Sequence, residues 1–201
     1  MNNNLQEGKW SENVILVDAD YVDKVAFNLI VNFERMIGRR IPQADMARWL
    51  ECIALDGGLR QGSHQTQVVF IHQKAKTEME NFVPGNYASD LTGKAFQGEL
   101  GEFMLNAHTI EDIADSEQLL IEALTLICQQ KEVKRIMVIP NAEVPHIYNK
   151  VRETLRQVND EEKRVTVFSM QPMTGGNFRQ EILGYSLMAA LGIRGDEIKT
   201  E

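Results

Sequence analysis

Three stretches of consecutive β-formers restrict the fold more than any other feature of the chain: Val14-Ile15-Leu16-Val17, Val68-Val69-Phe70-Ile71 and Ile136-Met137-Val138-Ile139. An unbroken apolar run of this length reads as a strand covered on both faces, the usual state inside a parallel sheet. Helical spacing fills the intervals. Val22, Val25, Ala26, Leu29, Ile30 and Phe33 form one stripe, closed by Gly38 as a C-terminal cap. Pro42 is expected to open a second helix, striped by Met46, Trp49, Leu50 and Ile53. Ser116 is expected to cap a third, with Leu119, Leu120, Ala123, Leu124 and Ile127 on its apolar side. A fourth helix is predicted over 144–157 and a last one over 178–191. Two further strands are predicted, a more exposed one over 99–108 and another over 164–168. This alternation predicts a three-layer α/β/α fold around a mainly parallel five-stranded sheet.

The 201 residues suit a single domain, with residues 1–10 frayed and Trp10 docking onto the fold. Residues 74–98 carry few clear signals and read as a long irregular connection around Pro84-Gly85-Asn86. No apolar run approaches the roughly 20 residues of a membrane span, so no membrane partner is expected. The opening residues show no basic stretch followed by an apolar one, and a cytoplasmic protein is expected. Cys52 and Cys128 fall on apolar helix faces and read as free thiols. A net charge of −8 argues against a broad basic surface for nucleic acid, while leaving room for a local groove or an acidic metal site.

In a parallel sheet the carboxyl ends of the strands share one edge, where open α/β folds place their sites. Asp18 and Asp20 follow the first strand, Asp115 leads the third helix, and Asn141 and Glu143 follow the 136–139 strand. Gathered carboxylates repel one another unless a cation neutralises them, and Mg²⁺ or Mn²⁺ suits carboxylate, carbonyl and water ligands. A structural explanation competes at each position. Acids at strand-to-helix junctions cap helices and complement the helix dipole, and Asp20, Asp115 and Glu143 all fit that role. Glu117 reads as a solvated first-turn acid. The four histidines show no metal-ligand spacing, the Gly-Gly pairs at 57–58 and 175–176 fit no phosphate-loop pattern, and Ser63 and Ser169 sit in no nucleophile elbow.

The order of these pieces resembles the NYN domains of the PIN-like nuclease superfamily over about residues 14–170. The resemblance is carried by Val14-Ile15-Leu16-Val17-Asp18-Ala19-Asp20, by Asp115 entering a helix, by Ile139-Pro140-Asn141-Ala142-Glu143 and by Val165-Thr166-Val167-Phe168-Ser169. It implies a metal-dependent ribonuclease, with RNA as partner. Asp18, Asp115 and Glu143 would be the catalytic metal ligands for Mg²⁺ or Mn²⁺, supported by Asp20 and Asn141. The chain departs from the family pattern in having Tyr21 where Asn is usual, and Asn141 and Glu143 where two aspartates are usual. A second expectation is therefore a catalytically inactive PIN-like scaffold that binds a protein or nucleic acid. A third is a different nucleotide- or small-molecule-binding module using the same edge. The last helix, with Tyr185, Leu187, Met188 and Leu191, is expected to pack on the sheet, with a homodimer contact as the alternative.

Overall fold

The computed structural model describes residues 8–110, 113–158 and 161–198, without the side chains of 110–115. Its centre is β1 (Asn13–Asp18), the fourth strand of a seven-stranded sheet. Val14, Ile15, Leu16 and Val17 are fully buried, and each such side chain contributes roughly 1.5–3 kcal/mol by leaving water. Alternation divides them. Ile15 and Val17 point into one apolar core, Val14 and Leu16 into the other.

Asp18 ends the strand and starts a helix. Its backbone is extended, and its carboxylate accepts a hydrogen bond from the Tyr21 amide at 3.1 Å. This N-cap satisfies one of the free donors of α1 (Ala19–Ile37), so the capping role expected of Asp20 falls two residues earlier. The helix stops at Gly38, whose φ of 71° is the left-handed cap conformation. Next come β2 (Ala44–Asp45) and α2 (Met46–Asp56), capped by the Asp45 carboxylate on the Arg48 amide. The second helix thus begins after Pro42, where a side-chain acceptor is available.

β3 (His64–Gln73) extends the 68–71 run at both ends. β4 (Phe82–Val83) pairs with β2 in a separate two-stranded patch. A π-helical turn, Tyr87–Leu91, leads to β5 (Lys94–Gly98), which doubles back on β6 (Gly101–Ile110). The 74–98 connection is therefore built rather than irregular. Asp23 of α1 holds it by accepting from the Glu80 and Asn81 amides at 3.1 and 2.8 Å, and Met79, Phe82, Tyr87 and Leu91 are buried. The remaining elements are α3 (Ile113–Gln129), β7 (Arg135–Ile139), α4 (Pro145–Arg156), β8 (Arg164–Ser169), β9 (Arg179–Ile182) and α5 (Leu183–Ala190), with a 3₁₀ turn at Gly195–Glu197.

The sheet runs β5-β6-β3-β1-β7-β8-β9, parallel throughout except for the β5–β6 hairpin. It has seven strands where five were expected. Both additional strands lie at the edges, and neither is an unbroken apolar run. β5 is Lys-Ala-Phe-Gln-Gly, anchored by Phe96 stacked on Phe103 at 4.7 Å. β9 is Arg-Gln-Glu-Ile, and its Ile182 runs into the apolar stripe of α5. Half-solvated edge strands lack the unbroken apolar signal of central ones.

Residues of α1, α2 and α5 join the core containing Ile15, Phe70, Met137 and Phe168 on one face. Residues of α3 and α4 join the core containing Leu16, Ile71, Val138 and Val167 on the other, where Trp10 also docks. The expected fraying of 1–10 falls mainly on residues outside those described. In α5, Leu183, Leu187 and Ala190 are buried, while Tyr185 stands in solvent. Cys52 and Cys128 are free and half-buried. No helix among the described residues is long and apolar enough to cross a membrane.

The connectivity determines where a ligand can sit. From β1 the chain moves outward through β3 to β6. Helix α3 then carries it back to β7, on the opposite side of β1. The carboxyl ends of β1 and β7 therefore border a crevice at the point where the strand order reverses.

Candidate functional site at the switch point

A cleft of about 420 Å³ occupies that crevice. Asp18 and Asp20 enter it from the β1–α1 junction, Asn141 and Glu143 from the loop after β7, and Glu117 from the first turns of α3. Four of the five site residues expected from the sequence thus line one space. The fifth, Asp115, lies in the first turn of α3, whose helix begins at Ile113 rather than at a Ser116 cap. Its side chain falls outside those described. Ser116, inside the helix, lines the cleft as well.

Asp18 is the most perturbed acid. Burial pushes its carboxyl up from 3.8 to about 7, and the nearby charges of Asp20 and Glu117 push the same way, against the Tyr21 amide bond. Asp20 is also raised by burial, offset in part by the Gln73 amide, which donates to its carboxylate at 2.8 Å. This bond fastens the start of α1 to the end of β3. The Asn141 Oδ1 is buried with no hydrogen-bond partner, an arrangement that costs about 1–3 kcal/mol unless something occupies it. The Tyr21 hydroxyl is buried beside the Glu143 carboxylate without closing a well-formed hydrogen bond, and burial and that carboxylate raise its pKa. Glu143 itself is exposed at the rim. Glu117 accepts a hydrogen bond from His146 Nε2 at 3.0 Å, which links the amino ends of α3 and α4.

Three lining residues carried no weight in the sequence. Lys24 and Asn28 sit one and two turns beyond Asp20 on α1, a spacing that was available as a signal. Gln73 was missed because β3 was expected to end sooner. His72, next to Gln73 at the end of the same strand, is buried. Its ring stacks on Tyr87 at 3.6 Å, and Nδ1 donates to the Gln73 carbonyl.

The donor chemistry, carboxylates plus an unpartnered amide oxygen, suits a hard divalent cation. Among the described side chains, no three of His, Cys, Asp or Glu are grouped closely enough to form a cage. Mg²⁺ does not need one, because it keeps several waters and takes one or two protein carboxylates.

No curated protein and no solved structure matches this chain. A family model described as a family of unknown function (DUF6621) matches residues 7–198, and the chain belongs to that family.

Proposed function

We propose that the switch-point cleft is the site of a divergent PIN-like, metal-dependent ribonuclease acting in the cytoplasm. The observation that carries this reading is Asp18. A carboxyl placed at the end of the central strand, driven towards protonation by burial and by two neighbouring acids, is relieved by a cation. Asp18 and the buried Asn141 Oδ1 would hold Mg²⁺ or Mn²⁺, with Asp20 and Glu117 acting on its water shell and Asp115 the remaining candidate from α3. The bound ion supplies Lewis acidity at a phosphodiester oxygen and a more acidic water. Glu143, exposed at the rim, would accept a proton from water. Lys24 offers the cleft a positive charge towards a phosphate.

Asn141, a neutral group where the family pattern has an acid, favours a second reading, in which the same cleft binds RNA without cleaving it. The test is calorimetric titration with Mn²⁺ together with cleavage of a labelled single-stranded RNA. The expected result is saturable Mn²⁺ binding, and Mn²⁺-dependent cleavage that falls by at least about 100-fold in Asp18→Asn. RNA binding without cleavage selects the second reading. Neither Mn²⁺ heat nor RNA binding rejects both.

A further inference from the structure

Beyond Glu143 on the same sheet edge lies a second cleft, of about 430 Å³. It opens between α4 and the loop that follows β8, with Tyr148, Arg152, Ser169, Met170 and Thr174 among its walls. Its charged lining residues are Arg152 and the shared rim acid Glu143, whereas the first cleft gathers four carboxylates and Lys24. Arg152 has no carboxylate partner among the described residues, and its Nε is buried without any hydrogen-bond acceptor. The guanidinium is nonetheless held in place. It lies over the Tyr148 ring, 5.7 Å from the centroid. On another side it meets the backbone of Gly175, where an added Cβ would come within 2.5 Å of an Arg152 terminal nitrogen. The Tyr148 hydroxyl fixes that loop by donating to the Gly175 carbonyl at 3.2 Å and lying 3.4 Å from that of Thr174.

A second observation points to the same ligand chemistry. Helix α4 begins with Pro145, and its N-cap, Val144, provides no side-chain acceptor. The Ile147 and Tyr148 amides of its first turn donate to the Val144 carbonyl, so what this end adds at the margin of the cleft is the partial positive charge of the helix dipole. Arg152 lies two turns along α4 from that end, and its guanidinium, held against the Tyr148 ring and Gly175, has terminal N–H groups suited to a compact oxyanion with several acceptors. The volume suits a ligand as large as a mononucleotide, and Met170 and Met173 supply apolar wall beside the charge.

We propose that this second cleft is a phosphate-binding subsite in which Arg152 is the anchor. It requires no metal and no cleavage, so it stands or falls separately from the ribonuclease reading.

The experiment titrates the full chain in EDTA with inorganic phosphate, adenosine 5′-monophosphate and adenosine, read by calorimetry. Phosphate and the nucleotide are expected to bind saturably, and adenosine is not. Arg152→Gln should weaken binding by at least about tenfold. Arg152→Lys keeps the charge and loses the planar fork, and should show most of that loss while guarding against a folding defect. Asp18→Asn should retain the wild-type affinity. A nucleotide that binds more tightly than phosphate marks a nucleotide subsite, and equal affinities mark a site for phosphate alone. Absence of saturable phosphate or nucleotide binding, or wild-type affinity in Arg152→Gln, overturns the proposal.

Discussion

The two clefts share one sheet edge and one rim residue, Glu143, yet differ in charge balance, one dominated by carboxylates and the other pairing a single acid with Arg152. At the β1–β7 crevice, carboxylates crowd a central strand end and push Asp18 towards its neutral form. Past β7, Arg152 lines the cleft with no carboxylate bonded to it among the described residues. The same parallel backbone delivers both, since each cleft lies beyond the carboxyl ends of strands in one sheet. The topology supplies a place, and a handful of loop and first-turn side chains decide what it attracts.

The comparison is tested most severely at Asp18. Its native carboxyl titrates near 7 against 3.8 in the unfolded chain. The stability it contributes is fully present below about pH 4 and is lost as pH rises through 7. Asp18→Asn retains a capping oxygen and cannot ionise. The substitution should therefore stabilise the protein by a few kcal/mol at pH 8, with the gain vanishing towards pH 4. Thermal melts across that range check this, and parallel curves for the two proteins would show that burial does not disfavour this charge.

A smaller effect is expected in the other cleft. Gly175 has a φ of 77°, and its missing Cβ leaves room for Arg152. Gly175→Ala should cost about 1–3 kcal/mol of stability and lower phosphate affinity, while leaving the Mn²⁺ response of the acidic cleft intact. Denaturant melts with both titrations check it. A fall in Mn²⁺ binding would mean that the clefts are not independent.

Proton competition gives the next effect. Below about pH 7 a cation must displace the Asp18 proton, so Mn²⁺ affinity should drop by about tenfold per pH unit as pH falls. Calorimetry at pH 6, 7 and 8 shows the slope, and a flat profile would place the ion away from Asp18. The smallest change is expected from Tyr21→Phe. It removes a hydroxyl buried without a good partner, so stability should stay within about 1 kcal/mol of wild type or rise.

What the sequence revealed follows burial. β1, β3 and β7 were legible because strands covered on both faces are written as unbroken apolar runs. β5 and β9 were not, because an edge strand is half solvent-facing and its residues read as loop or as the start of a helix. The acidic edge was legible because junction positions after strands are easy to locate. The role of Glu117 was not. Its position on α3 matches that of any solvated acid, and only the approach of His146 and the β1 end gives it a part in the cleft. Arg152 had no sequence signal. Its meaning depends on Tyr148 one turn earlier and on a glycine brought near by the fold.

The partners of β1 have a consequence for timing. Asn13 lies beside Thr66 in β3 and beside Arg135 in β7, so the strand is completed by segments about 50 and 120 residues downstream. Chain synthesised as far as α3 has one half of the sheet and an open flank where β7 belongs. The acidic crevice cannot exist on that intermediate, because one of its two walls has yet to emerge from the ribosome. A nascent chain is thus inert towards any ligand of this site until synthesis has passed β7 and Glu143, and the same delay leaves the flank of β1 exposed to wrong partners.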